Sequence, residues 1–177
     1  MSTSKWAFDA SHSELGFKIK HLMISTVSGL FSGFNVDLNS SNDDFTDATV
    51  NVTIDVATIN TKNAQRDGHL LTTDFFETEK YPNITYQSTR FEKTGDAEYI
   101  LHGNLTIKEV TQPIDVKVEF NGLAKDPWGN IKAAFSYEGK LNRKDFGLTY
   151  NAALETGGVL LGEEVKFHGE VQFAKQA

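Results

Sequence analysis

Apolar and polar residues alternate along most of this chain, most clearly in Ile114-Asp-Val116-Lys-Val118-Glu-Phe120-Asn, where inside and outside can be read directly. A two-residue period sets one face of an extended strand against a core and the other in water. The same rhythm runs through Leu15–Lys20, Val50–Val56 and Val165–Phe173. Weaker versions, interrupted by glycines at 33, 103 and 139, run through Leu30–Leu38, Ile84–Phe91, Tyr99–Ile107 and Ile131–Leu141. Glycine inside a strand often marks a bend. The pattern predicts eight principal strands, half-buried and antiparallel, joined by turn-rich segments such as 39–44, 94–96 and Asp126-Pro-Trp-Gly-Asn130.

One stretch, Thr61–Phe76, has no alternation. It predicts one or two short helices over about residues 62–76, with Asn60 or Thr61 as the amino-terminal cap and Pro82 as the stop. Its Leu70, Leu71, Phe75 and Phe76 make an apolar edge that must pack on something, and the open end or side of a barrel is available.

Eight evenly spaced strands favour an all-β barrel or sandwich, and full closure removes the edges that invite aggregation. The interior of such a barrel is either filled by side chains or wide enough for one small ligand. A ten-residue strand is about 33 Å long, so tall strands such as 112–122 and 130–141 can enclose an elongated tunnel. Thirteen phenylalanines against two methionines make a rigid, flat, apolar inner wall that suits isoprene units. Removing a hydrocarbon chain from water is worth about 25 cal/mol per Å², so such a tunnel binds without elaborate polar recognition. In an ordinary all-β domain the same rings fill a solid core, and alternation does not separate the two.

At 177 residues the chain predicts a single domain, 1–177, without linker, low-complexity tract or short repeat. A net charge of -7 argues against nucleic acid or an anionic membrane surface as partner, since both need a cationic stripe. The absence of cysteine removes disulfide scaffolds, thiol nucleophiles and cysteine-ligated zinc. The amino terminus lacks the apolar run of a signal peptide, and no stretch approaches the roughly 20 apolar residues of a membrane-spanning helix. A cytoplasmic location is expected for the chain as it stands, or a periplasmic one if an export signal has been removed. The sequons at Asn51, Asn83 and Asn104 fall in alternating strands, where threonine is simply a good β-former.

Candidate chemistry is sparse. His12, His21, His69, His102 and His168 show no metal-ligand spacing, and His102 and His168 sit at outward positions where solvent is the expected partner. Arg66, Asp67 and His69 form the densest polar cluster, but no nucleophile accompanies them, so a hydrogen-bond network pinning the helix is expected rather than catalysis. The same cluster can meet the polar end of an amphiphile. Gly157-Gly-Val-Leu-Leu-Gly162 has phosphate-loop spacing, but Glu163 and Glu164 would repel a phosphate, leaving a glycine-hinged loop over the pore. Trp128, at the tip of a turn, is expected to plug the barrel. No cofactor is implied.

The run Arg66-Asp-Gly-His-Leu-Leu-Thr-Thr-Asp-Phe-Phe-Glu-Thr-Glu-Lys-Tyr-Pro-Asn-Ile-Thr-Tyr86 closely resembles the signature of the YceI-like family, lipocalin-like isoprenoid-binding proteins. Further matches follow in order: Asp9-x-x-His12-Ser13, Gly16-Phe17-x-x-x-His21, Gly29-x-Phe31-x-x-Phe34, Gly103-x-Leu105-Thr106-Ile107-x-x-Val110-Thr111-x-Pro113, Asp126-Pro-Trp-Gly129 and Asn142-Arg143-Lys-Asp145-Phe146-Gly147-Leu148. The resemblance implies an eight-stranded antiparallel lipocalin-like barrel with short helices and a hydrophobic pore holding a polyisoprenoid or similar amphiphile. Family members are often exported, and this chain shows no leader. Lys108-Glu109 stands in a tight turn where the family commonly has glycine, which should alter only a surface loop.

These readings converge on a lipid carrier or reservoir, not an enzyme. Phe17, Ile19, Phe31, Phe34, Val52, Ile54, Phe75, Phe76, Tyr86, Leu105, Val118, Phe120, Phe135 and Phe167 are expected to line or close the pore. His21, Arg66 and His69 are expected at a ligand head group. The rival readings are an enzyme acting on a lipophilic substrate with Arg66, Asp67 and His69 at its mouth, and a solid-core, stress-related interaction module. The expected partner is a polyisoprenoid or other long-chain amphiphile, and a homodimer through an outer face is compatible with the pattern.

Overall fold

The structure is a computed structural model that describes residues 4–22, 24–41, 44–151 and 161–176. The alternating segments form β1 (Ser4–Phe8), β2 (Gly16–His21), β3 (Ser25–Phe31), β4 (Phe34–Ser40), β5 (Thr49–Asp55), β6 (Ile59–Asn60), β7 (Asn83–Lys93), β8 (Glu98–Ile107), β9 (Val110–Lys125), β10 (Ile131–Asn142) and β11 (Leu161–Lys175). Three staves of the barrel are broken strands. A 3-10 turn at Ala10–His12 separates β1 from β2, a bend at Ser32-Gly33 separates β3 from β4, and a 3-10 turn at Val56–Thr58 separates β5 from β6.

The ring runs β1-β4-β5-β7-β8-β9-β10-β11 and closes where β11 pairs back onto β1, with Trp6 opposite Lys175 and Phe8 opposite Phe173. β2, β3 and β6 continue three of those staves, with β2 paired to the first half of β11. The result is the predicted closed eight-stranded antiparallel barrel. Its upper end gathers the β2–β3 turn, the helical segment, the β8–β9 turn and a 3-10 turn at Arg143–Phe146. Its lower end gathers the loop before β5, the β7–β8 turn and the β9–β10 turn.

Only one α-helix forms in the non-alternating stretch, α1 (Ala64–Leu70), and residues 71–76 are turns. Its cap is Asn63, whose side chain accepts from Arg66 N at 3.0 Å, and not Asn60 or Thr61. Asn60 caps Lys62 N instead, and Thr61 anchors the helix by a different route described below.

Of the three glycines expected to bend strands, only Gly33 lies at a break, where its N–H donates to Thr58 Oγ1 at 2.9 Å. Gly103 and Gly139 lie within continuous strands and face inward. A Cβ on Gly103 would stand 2.6 Å from Cζ of Tyr86, and one on Gly139 would stand 2.4 Å from Cζ of Phe167. Each glycine is covered by a ring from a neighbouring strand, so the missing side chain makes room for an aromatic lying against the wall.

The lower end is solid. Phe45 enters from the loop before β5, is 0 % exposed, and packs on Trp6, Phe120 and Phe135 at ring distances of 5.2, 5.4 and 5.1 Å. Ala48 and Ala133, both buried, leave space for it. Phe45 has a φ of 61°, a left-handed conformation that costs a phenylalanine about 1 kcal/mol or more, and burial of its ring offsets that cost. Tyr99 stacks on Phe91 at 4.4 Å and donates to Asp44 O at 2.8 Å, tying the loop down. Trp128 is not the plug: it is 83 % exposed at the tip of the β9–β10 turn. The tight Asp126–Asn130 turn is closed by the Asp126 side chain, which accepts from Trp128 N and Asn130 N and holds the indole outside the barrel.

Candidate functional site

Above the plug the inward rows draw apart around a cavity of about 460 Å³, within the range typical of small-molecule sites. Phe91, Leu101, Phe135 and Phe173 are among the residues at its lower boundary with the plug, and Leu70, Phe75 and Phe76 of the helical segment wall its upper end. Phe17, Ile19, His21, Phe31, Phe34, Val52, Ile54, Arg66, His69, Phe75, Phe76, Tyr86, Leu105, Val118, Phe135 and Phe167 all lie on its surface. Phe120 does not. Its ring packs at 5.4 Å from Phe45 and 5.2 Å from Phe135, within the plug.

Alternation alone finds Phe91, Leu101, Val116 and Val171, which also line the cavity. Arg143, Leu148 and Tyr150 are different. They follow β10 in a 3-10 turn and an irregular segment, where two-residue parity gives no inside or outside. The only signal available for Arg143 was its place in the Asn142–Leu148 motif. The glycine-hinged loop at 157–162 lies mostly outside the described residues.

Two of the wall's three tyrosines, Tyr86 and Tyr137, are already satisfied. Tyr86 Oη donates to Ile114 O at 2.8 Å, and Tyr137 Oη donates to Glu14 O at 2.8 Å. Burial pushes both phenols above their ordinary range, so they stay neutral. Most of the cavity wall is therefore hydrocarbon, with the Tyr86 and Tyr137 hydroxyls turned to the backbone, an arrangement that favours a dry interior.

Polar groups concentrate at the upper end. Arg66 donates from Nε to Thr61 Oγ1 at 2.8 Å and from Nη2 to Thr61 O at 2.6 Å. Asp67 accepts from Thr61 N at 3.0 Å and from its hydroxyl. Both charged residues of α1 thus converge on one buried threonine and pin the helix to β6. His69 Nε2 donates to Asp74 at 2.8 Å, and its ring meets Phe75 and Tyr150 edge-on at 5.2 and 5.0 Å.

Arg143 is 3 % exposed. Its Nε donates to Gly162 O at 2.8 Å, and its Nη1 donates to Leu148 O at 2.6 Å and Tyr150 O at 2.8 Å. These bonds tie the segment after β10 to the start of β11.

The outer face holds the remaining histidine chemistry. His102 is not simply solvated: Nδ1 donates to Asp115 at 2.8 Å and Nε2 lies 3.0 Å from Glu92. Hydrogen bonds to these two carboxylates, Glu92 first, raise its pKa above the ordinary 6.5. His168 is half-buried, its ring lying over Gly16. No group of three metal-ligating side chains occurs among the described residues.

A closed antiparallel barrel around an apolar cavity defines a class of ligand-enclosing barrel. The chain belongs to the YceI-like family, whose domain model matches residues 6–173. It is 41 % identical over 172 residues to a UPF0312 protein of Staphylococcus aureus strain N315, covering 97 % of this chain and 98 % of that one. Among solved structures, the YCEI protein of Campylobacter jejuni is 32 % identical with a TM-score of 0.76, covering 89 % of this chain and 90 % of that one. A polyisoprenoid binding domain from Saccharophagus degradans, implicated in plant cell wall breakdown, shares the fold at a TM-score of 0.70 and 15 % identity over 99 % of both chains.

Proposed function

We propose that this barrel encloses one long-chain isoprenoid or similar amphiphile, tail downward against the aromatic plug and polar end upward among His21, Arg66 and His69, and acts as a carrier or reservoir. The observation that carries the reading is the cavity itself: about 460 Å³, walled by phenylalanine and branched aliphatic side chains, with the Tyr86 and Tyr137 hydroxyls already bonded to backbone. At about 25 cal/mol per Å² of apolar surface removed from water, a tail of a few isoprene units supplies enough free energy for tight binding without a directed contact along its length. The binding domain of Saccharophagus degradans, which shares the fold, is consistent with an isoprenoid as the class of tail.

The same geometry speaks for holding rather than turnover. Asp67, the carboxylate an enzyme would place at the mouth, is committed to Thr61 and does not line the cavity, whereas Arg66 bonds Thr61 and still lines it. Extraction of the purified protein with organic solvent, followed by mass spectrometry, tests the proposal. A stoichiometric long-chain lipid is expected. An extract without lipid, together with no saturable uptake of a fluorescent polyprenyl probe, would overturn it.

A further inference from the structure

The charges on the cavity wall run opposite to those of the protein. The chain carries a net charge of -7, yet among the described residues no aspartate, glutamate or lysine lines the cavity. Its formally charged lining groups are two guanidinium groups, Arg66 and Arg143, both at the upper end. Neither makes an ion pair with a described carboxylate. Asp67, next to Arg66 in sequence, accepts from Thr61, and Glu163, whose charge acts on Arg143 without pairing with it, is paired to Lys144 at 2.7 Å.

Arg143 carries the stronger argument. Among the described residues all of its hydrogen-bond partners are neutral carbonyls, and Nη2 is buried without a partner. An ionised group removed from water without a paired counter-charge is expensive, and a donor left unmet adds to that cost. Burial drives the Arg143 pKa down, but guanidinium holds its proton at any ordinary pH. The group therefore stays a cation, and the cheapest way to compensate it is an anion delivered into the cavity. Guanidinium forks match carboxylate and phosphate oxygens well.

We infer that the ligand is an acidic amphiphile, a long chain ending in a carboxylate or a phosphate, whose head is held at the upper end by Arg143 and Arg66. The inference rests on the proposed lipid-binding function and narrows its ligand class. Hydrocarbon sets the affinity of the tail, and the two cations choose the head.

Matched pairs test it: farnesyl monophosphate against farnesol, and palmitate against hexadecanol, each titrated into delipidated protein by calorimetry. Within each pair the tail is constant, so the ratio of the two affinities reports the head alone. The acid is expected to bind at least about tenfold tighter than its alcohol, and whichever acid shows the larger ratio identifies phosphate or carboxylate as the head. Arg66→Gln should cut the ratio at least about threefold and Arg143→Met about tenfold, the acid losing more affinity than its alcohol. Should Arg143→Met fail to fold, the wild-type and Arg66→Gln ratios still decide. Alcohols that bind as tightly as the acids, or ratios unmoved by Arg66→Gln, would overturn the head-group assignment while leaving lipid binding intact. Failure of all four ligands would overturn lipid binding itself, and the inference with it.

Discussion

The two ends of this barrel are built from the same strands and the same alternation, yet one is solid and the other encloses a cavity. At the lower end Phe45, Trp6, Phe120 and Phe135 interlock around Ala48 and Ala133. Higher up, Phe17 and Phe167 belong to equally regular inward rows, but they lie over Gly29 and Gly139 on adjacent strands and keep to the wall. What separates filling from cavity is thus not how apolar the rows are. It is whether a loop side chain is driven into the axis, and whether a glycine lets each ring lie flat.

Phe45→Ala should be the most damaging single truncation, at about 3–5 kcal/mol by urea unfolding, since it removes the keystone of a packed cluster. Val52→Ala, on the cavity wall, should cost about 1 kcal/mol or less because one side of that residue already lacks contacts. Equal losses would mean that the cavity is as tightly packed as the plug.

Enlargement should keep the order. Ala133→Leu overfills the plug and should destabilise by about 1–3 kcal/mol, whereas Val52→Leu grows into open space and should stay within about 1 kcal/mol of wild type. In a lipid titration Val52→Leu should nonetheless shorten the longest chain accommodated, and Ala133→Leu should leave that length unchanged.

Gly139→Ala sets a Cβ 2.4 Å from the Phe167 ring, which must swing toward the cavity. A loss of about 1 kcal/mol is expected in thermal unfolding. Phe167→Leu in the same chain should recover most of it, since the two positions share one contact.

The smallest effect belongs outside the barrel, where packing at either end plays no part. Glu92 and Asp115 raise the pKa of His102, so its contribution to stability is fully present below pH 6.5 and is lost as pH climbs through the raised folded value. Replacing it, as in His102→Gln, should flatten the unfolding profile across that window. A profile of unchanged shape would detach His102 from the two carboxylates.

Much of this was legible in the chain. The rows Ile114–Phe120 and Val165–Phe173 declare an inside and an outside by parity, because a strand turns successive side chains to opposite faces. Closure into a barrel follows from eight such rows and the need to hide edges. The helix was legible as a loss of rhythm, although its cap at Asn63 was not, because Asn60, Thr61 and Asn63 are all good caps.

The sequence by itself determined which residues face inward along each strand, and through its ordered motifs the family. Tertiary structure alone decided that Phe45 fills the lower end, that Trp128 stays outside, and that Arg143 joins Arg66 on the cavity wall. The reason is physical. Parity is a local property of extended backbone, whereas the distance between opposite walls, and which loop or turn residue crosses that space, depends on contacts between segments far apart in the chain.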